Sequence, residues 1–386
     1  MSAWPIVPVK DYARVVGGAT PKSGTAEYWD GDIPWTTPKD LSDLDGKYLA
    51  DTPRKITASG LKSCSSELLP PNSVLFSSRA PIGHVAINTV PMATNQGFKS
   101  FIPSTKLDAS FLFWWLKCHR AQLELLGNGA TFKEVSKAIV ERIEIPLPPL
   151  DEQKRIAAIL DQADELRRKR QRAIDRLNQL GQAIFHDMFG DLLRTQCRKA
   201  PLGEVCDVRD GTHDSPKYVD EGFPLLTSKN FSAGCIDYKG ANFISRDDFE
   251  KINKRSKVDK GDIVMPMIGT IGSPVIVEVE PDFAIKNVAL IKFRDSGMNA
   301  EFVRQVLDGP LFQKHVSNKG RGGTQKFVSL GDIRAFEIPL PSSEQQSEFE
   351  EKMRVVRTER AKLASSFVLM EHLFTALQHR AFRGEL

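Results

Sequence analysis

The stretch GNGATFKEVSKAIVERIEIPLPPLDEQ, residues 127–153, recurs as GRGGTQKFVSLGDIRAFEIPLPSSEQQ, residues 320–346. The offset is 193 positions, half of the 386-residue chain, and twelve of the twenty-seven ungapped pairs are identical. Average composition would give roughly one or two. Among the identities are Gly127/Gly320, Gly129/Gly322, Thr131/Thr324, Lys133/Lys326, Val135/Val328, Ser136/Ser329, the EIPLP run and Gln153/Gln346. Repetition at half-length means a tandem duplication with two pseudo-equivalent halves. Weaker echoes lie upstream: IPWTTPKDL (33–41) matches FPLLTSKNF (223–231), and SSRAPIGHVAI (77–87) sits opposite PMIGTIGSPVI (266–276). The halves share a scaffold and differ at many polar positions.

Each half divides at its IPLP. Upstream, short β-prone runs (73–76, 84–88, 262–265, 274–278) alternate with Gly, Pro, Asn and Ser breaks, which predicts mixed, sheet-rich globular domains. Downstream the proline-free segment from Asp151 to Met188 places Ile156, Ile159, Ala163, Leu166, Ala173, Leu177, Leu180 and Ile184 at 3-4 spacing, the mark of a long helix with a coiled-coil seam. From Ser343 to Phe382 the stripe repeats as Phe349, Met353, Val356, Leu363, Phe367, Met370, Phe374, Leu377 and Ala381. Arg170 and Arg360 interrupt the two seams as polar register marks. Ser343 with Gln346 fits a capping box, and Gly190 and Gly384 follow the helix ends as stops. A helix of about 38 residues spans roughly 57 Å. With one apolar stripe it needs a partner. Its own repeat is the nearest one, and a pseudo-two-fold relation makes the pair antiparallel, with the globular domains at opposite ends of a rod. The expected class is α+β, with globular domains over 1–150 and 194–342 and long helices over 151–193 and 343–386.

Bulk properties fit a soluble chain. The net charge of +4 divides evenly, 24 basic minus 22 acidic residues in 1–193 and 29 minus 27 in 194–386, which permits an anionic partner without requiring one. Cys64, Cys118, Cys197, Cys206 and Cys235 form no CxxC pair or Cys/His cluster with zinc spacing, so reduced thiols are expected. With no start resembling a signal peptide and no long apolar run, a cytoplasmic location is expected. The sequence contains no DPPY/NPPF-type methyltransferase motif, no Gly-rich phosphate loop and no HExxH; Pro281-Asp282 has no ExK partner outside the second helix. The chain reads as non-catalytic, binding no metal and no cofactor itself.

The IPLPPLDEQKRIAAILD stretch (145–161), its degenerate copy IPLPSSEQQSEFEEKM (338–353), the paired long helices and the LQHRAFRGEL terminus (377–386) together resemble the specificity (S) subunit of type I restriction-modification enzymes, over essentially the whole chain. SSEQQSEF replaces PLDEQKRI in the second copy, so equal docking on both halves is not expected. The resemblance implies that each variable part is a target recognition domain reading half of a split DNA site, that the helices set the spacing, and that two adenine-N6 methyltransferase subunits are partners. S-adenosylmethionine would then be held by those partners, and ATP and Mg by a restriction subunit where one joins. Unlike polar loops on a shared scaffold predict an asymmetric site. Two alternatives are a self-sufficient nuclease or methyltransferase, and a coiled-coil scaffold for protein partners.

Hydroxyl, amide and basic groups at strand ends and glycine-flanked loops are the candidates for DNA contact. In the first domain these are Thr36, Thr37, Lys39, Ser77, Ser78, Arg79, Gln96, Lys99, Thr131 and Lys133. Repeat position adds Thr227, Ser228, Lys229, Thr270, Lys286, Asn287, Arg321, Thr324 and Lys326, and the loop DGTHDSP adds Thr212 and His213. The bland alternative for each is a solvated loop residue, and for the repeated GxxTxK a structural turn. The run RRKRQR (167–172) has acidic neighbours at helical spacing, which favours a solvated or partner-docking face over DNA contact.

Overall fold

A computed structural model describes residues 4–79, 81–127, 133–194, 197–232, 234–268, 273–293, 297–318 and 328–386. It divides into two units, Met1–Gln171 with Ser365–Leu386, and Arg172–Ala364.

In the first unit a five-stranded sheet runs in the order Ala13–Gly17, Lys99–Pro103, Val74–Phe76, Val85–Asn88, Tyr48–Leu49. Its central strand is buried on both faces. Val74 and Phe76 join the core built on Phe101, Phe111 and Trp114, while Leu75 points the other way with Val16, Ala86 and Met92. That alternation is the period-two geometry of a strand with both faces covered. A three-stranded sheet orders Lys55–Ile56, Trp29–Thr36 and Ala93–Thr94, its last pair parallel with Thr36 opposite Thr94.

The second unit repeats the plan. One four-stranded sheet orders Asp207–Asp210, Val288–Lys292, Ile263–Pro266 and Val275–Ile276, and another orders Tyr218–Val219, Asn242–Ile244, Phe223–Leu226 and Ala284–Ile285. Leu226 stands opposite Ile285 in a parallel pair, the counterpart of Thr36 and Thr94. Ile263 and Met265 face one core and Val264 the other. Both echoes seen upstream are therefore structural. Val74 pairs with Ile87 as Ile263 pairs with Ile276, and Val135 N–H donates to Ser78 O (2.8 Å) as Val328 N–H donates to Met267 O (3.0 Å).

The IPLP repeat closes each unit. Glu144–Pro146 and Glu337–Pro339 each form an antiparallel pair with an upstream segment, Val7 opposite Ile145 and Ala200 opposite Ile338. Leu147 N–H then donates to Pro5 O (2.9 Å) and Leu340 N–H to Arg198 O (3.0 Å). The glutamine common to both copies locks the next turn. Fully buried Gln153 accepts from Asp108 N–H (2.8 Å) and donates to Lys106 O (3.0 Å) and Pro148 O (2.9 Å); Gln346 accepts from Asn299 N–H (2.7 Å) and donates to Pro341 O (3.2 Å).

The long helices run over Leu150–Arg194 and Ser343–Arg383. In each unit their neighbouring parts pack antiparallel. Arg167 meets Glu371 (2.8 Å) and lies over the Phe374 ring in the first unit. In the second, Phe185 and Phe189 pack on Phe349, and a Cβ on Gly181 would lie 3.1 Å from Met353 Cε. Buried Phe349, Met353, Val356, Phe374 and Ala381 follow the expected stripe.

Several details differ from expectation. Gly190 does not stop its helix, because Leu192 and Leu193 still pack against the core and outweigh the roughly 1 kcal/mol cost of an internal glycine. Gly384 does stop one. At φ +75° it closes a Schellman turn, its N–H bonded to Ala381 O and that of Glu385 to Arg380 O (3.0 Å). The capping box is one residue earlier than expected, Ser342 with Gln345, since Gln346 is used inside the core. Leu166 and Leu180 are 58% and 47% exposed; Leu160, Asp164 and Gly181 are the buried residues beside them. Arg360 leaves the seam to pair with Glu278 (3.2 Å).

Candidate nucleic-acid interface

In both units a strand ends at a glycine that threads its chain between two others. Gly18 N–H donates to Phe98 O (3.4 Å), Ala19 N–H to Thr94 O (2.9 Å), and Asn95 N–H to Thr36 O (3.0 Å). In the second unit Gly211 N–H donates to Val288 O (2.9 Å), Thr212 N–H to Ile285 O (3.0 Å), and Lys286 N–H to Leu226 O (2.9 Å). The set of bonds is the same, and only backbone makes it. The glycines are required by space. A Cβ on Gly211 would lie 2.5 Å from Ile285 O, and one on Gly18 would collide with the carbonyls of Thr94 and Asn95. The cradle brings three loops of each unit side by side.

The structure sorts the candidates. Thr36, Ser77 and Ser78 are buried and belong to the scaffold, a correction to their assignment as DNA-facing. The Thr36 hydroxyl lies 3.3 Å from Met92 Sδ, Ser77 Oγ donates to Pro81 O (2.8 Å) and accepts from His84 N–H (2.8 Å), and Ser78 Oγ donates to Gly97 O (3.2 Å). Thr37 and Thr227 cap the short turns after their strands, closed by Asp40 and Asn230 respectively. Lys39, Arg79, Gln96, Lys133, His213 and Lys229 are exposed, and Lys99, Thr212, Ser228, Lys286 and Asn287 are half-buried around the cradle. Thr131, Thr270, Arg321, Thr324 and Lys326 lie outside the described residues.

The cradle joins candidates far apart in sequence. In the first unit Gln96 accepts from the Thr20 hydroxyl, and Glu134 binds Arg79 Nε (2.9 Å) and Lys99 Nζ (3.3 Å). Burial pushes the Glu134 carboxyl up, but the hydrogen bonds from Arg79 and Lys99 outweigh it and hold the group below its ordinary range. In the second unit His213 Nδ1 lies 2.8 Å from Asn287 Oδ1 and its Nε2 lies 2.7 Å from Asp210 Oδ2, while Arg255 Nη2 reaches Asp210 Oδ1 (2.5 Å). Lys286 Nζ donates to Ser215 Oγ (2.6 Å). Thr20, Glu134, Asp210, Ser215 and Arg255 were not legible as site residues. Only Asp210 and Ser215 carried a signal, by their place in the DGTHDSP loop.

The basic run on the first helix is spent internally where its partners are described: Arg167 on Asp164 and Glu371, Arg168 on Asp45, Lys169 on Glu165. Among the described residues no group of His, Cys, Asp and Glu could hold a metal ion, and no helix is long and apolar enough to cross a membrane.

Two scaffolds with one backbone plan and unlike polar loops match a known pattern. Residues 1–176 and 197–359 each correspond to the type I restriction modification DNA specificity domain. The chain belongs to that family. Among type I specificity proteins it is 36% identical over 190 residues to the MjaIX specificity subunit of Methanocaldococcus jannaschii, covering 49% of this chain and 44% of that one. It is 24% identical to the MjaVIII specificity subunit of the same organism, covering 92% and 86%. The crystal structure of the type I restriction-modification S subunit from M. genitalium shares the fold, with a TM-score of 0.60 at 16% identity over 99% of this chain and 96% of that one.

Proposed function

We propose that this chain is the DNA-sequence-reading subunit of a type I restriction-modification complex, each unit reading one part of a split, asymmetric site. The observation that carries this reading is the duplicated cradle. Identical backbone bonds position different side chains, Thr20 and Gln96 in one unit and His213 and Asn287 in the other, and each unit adds cations of its own, Arg79 and Lys99 in the first and Lys286 and Arg255 in the second. Cations at loop ends hold phosphates and fix register, and amides and hydroxyls read base edges. Lys39, Lys133 and Lys229, exposed on the flanking loops, extend the cationic border.

Reading is this chain's part, and the chemistry belongs to partners. Two adenine-N6 methyltransferase subunits with S-adenosylmethionine would dock on it, and a restriction subunit using ATP and Mg would join for cleavage. The paired helices would set the gap between half-sites, and the complex would act in the cytoplasm. Mapping N6-methyladenine across the host genome with and without this gene tests the reading. The expected result is a split, asymmetric motif that vanishes with the gene; a motif that persists, or purified chain that alone methylates or cuts DNA, would overturn it.

A further inference from the structure

The repeat superimposes two side-chain pairs that differ in one chemical respect. Gly18 corresponds to Gly211 and Asn95 to Lys286 by their shared backbone bonds, so Thr20 corresponds to His213 and, counted on from Asn95 and Lys286, Gln96 to Asn287, the second loop being one residue shorter before Val288, the counterpart of Phe98. In both units the two side chains bond to each other across the cradle. The first pair is neutral at every ordinary pH. The second contains an imidazole.

The surroundings of that imidazole are built for its charged form. An ionised carboxylate only accepts hydrogen bonds, so Nε2 donates to Asp210; with Oδ1 of Asn287 facing it, Nδ1 donates as well. A ring that donates from both nitrogens is an imidazolium. Asp210 is 7% exposed, and the bonds from His213 and Arg255 hold its carboxyl below the ordinary range against that burial; the equivalent position in the first unit is Gly17. The other charged groups near the ring are Arg255, on the helix Arg246–Ser256 and bound to the same carboxylate, Lys286, turned to Ser215, and Asp214, the next residue in the loop. The hydrogen bonds to Asn287 and Asp210 hold the imidazole above its ordinary range despite partial burial and the nearby Arg255.

We propose that Thr20–Gln96 and His213–Asn287 are equivalent clasps that hold the reading loops in register, and that the second clasp keeps this arrangement, Asn287 Oδ1 turned to the ring, only when His213 is protonated. Asn287 sits at φ +55°, a left-handed conformation that asparagine tolerates better than most residues, and it turns the side chain towards His213. Loss of the proton removes one of the two N–H donors, so the bond to Asn287 is lost or survives only with the amide turned over, Nδ2 donating to Nδ1. Reading by the second unit then becomes pH-dependent while reading by the first does not. The sign follows from the raised value: the arrangement is complete below the ordinary imidazole range and is lost as pH rises through the elevated one.

The inference rests on the DNA-reading function, and one experiment separates the two. The full chain with its methyltransferase partners is equilibrated with a library of randomised DNA duplexes at a series of pH values from 6 to about 9, and bound duplexes are sequenced. The expected result is a two-part motif in which enrichment of one part falls with rising pH, the logarithm approaching a slope of about −1 per pH unit, the limit for one linked proton. Enrichment of the other part stays level. The double variant His213→Thr with Asn287→Gln, which installs the first unit's pair, is expected to flatten the falling part, and His213→Lys, which keeps a cation that does not titrate in this window, to flatten it too. Parts that fade together, or variants that keep the slope, would overturn the clasp while leaving the reading function standing. No enriched motif at any pH would overturn both.

Discussion

Gln153→Leu offers a quantitative test of how the repeated IPLP joint is held. The side chain is fully buried and makes three hydrogen bonds to backbone, to Asp108 N–H, Lys106 O and Pro148 O. Leucine has similar volume and none of the polar atoms. The bond to Pro148 O is buried, so that carbonyl is stranded at about 1–3 kcal/mol, whereas the partly buried groups of Lys106 and Asp108 recover some hydration and cost about 1 kcal/mol each. Better burial of the leucine methyl groups offsets about 1 kcal/mol. The expected loss is about 3 kcal/mol, large for a single substitution. With a urea m-value of about 2 kcal/mol/M, the midpoint falls by about 1.5 M. The assay is selective, because all five tryptophans, Trp4, Trp29, Trp35, Trp114 and Trp115, lie in the first unit and their emission reports it alone. A midpoint shift under about 0.3 M would refute the reasoning.

Other substitutions test the remaining steps. Gly211→Ala is expected to abolish recognition of one part of the DNA motif and Gly18→Ala the other, since either Cβ meets cradle carbonyls; sequencing of bound duplexes reads this, and loss of both parts in either variant would refute separate cradles. Arg79→Ala or Lys133→Ala is expected to weaken DNA binding, by about 1–3 kcal/mol at one base position for a base contact and evenly over all sequences for a phosphate contact. Unchanged affinity and motif would remove that residue from the interface. Four residues, about one helical turn, inserted near Leu177 are expected to change the permitted gap between half-sites, and methylation mapping that finds the old gap would reject the helices as its determinant.

The duplication, the α+β class and both long helices were legible because each rests on pattern over many residues. Strands around Val74, Val85, Ile263 and Val275 were legible for the same reason. Single-residue features were less so. Ser343 with Gln346 fits a cap in the sequence, and only the use of Gln346 against Asn299 moves it to Ser342 with Gln345. Gly190 resembles a stop until Leu193 is seen to be packed. Buried Thr36, Ser77 and Ser78 read as surface hydroxyls because nothing local shows that their partners, the Met92 sulfur for Thr36 and backbone carbonyls for the serines, lie within the same unit. Contacts such as Arg79 with Glu134, 55 residues apart, or Arg255 with Asp210, 45 apart, leave no periodic trace at all.

The cradle is made of backbone bonds and a glycine, and those bonds, not the identity of the side chains that project from it, build the fold. Selection can therefore rewrite those positions one at a time, with each intermediate still folded and each half free to drift without the other. A lineage of such proteins can exchange one target for a new one while its architecture stands still.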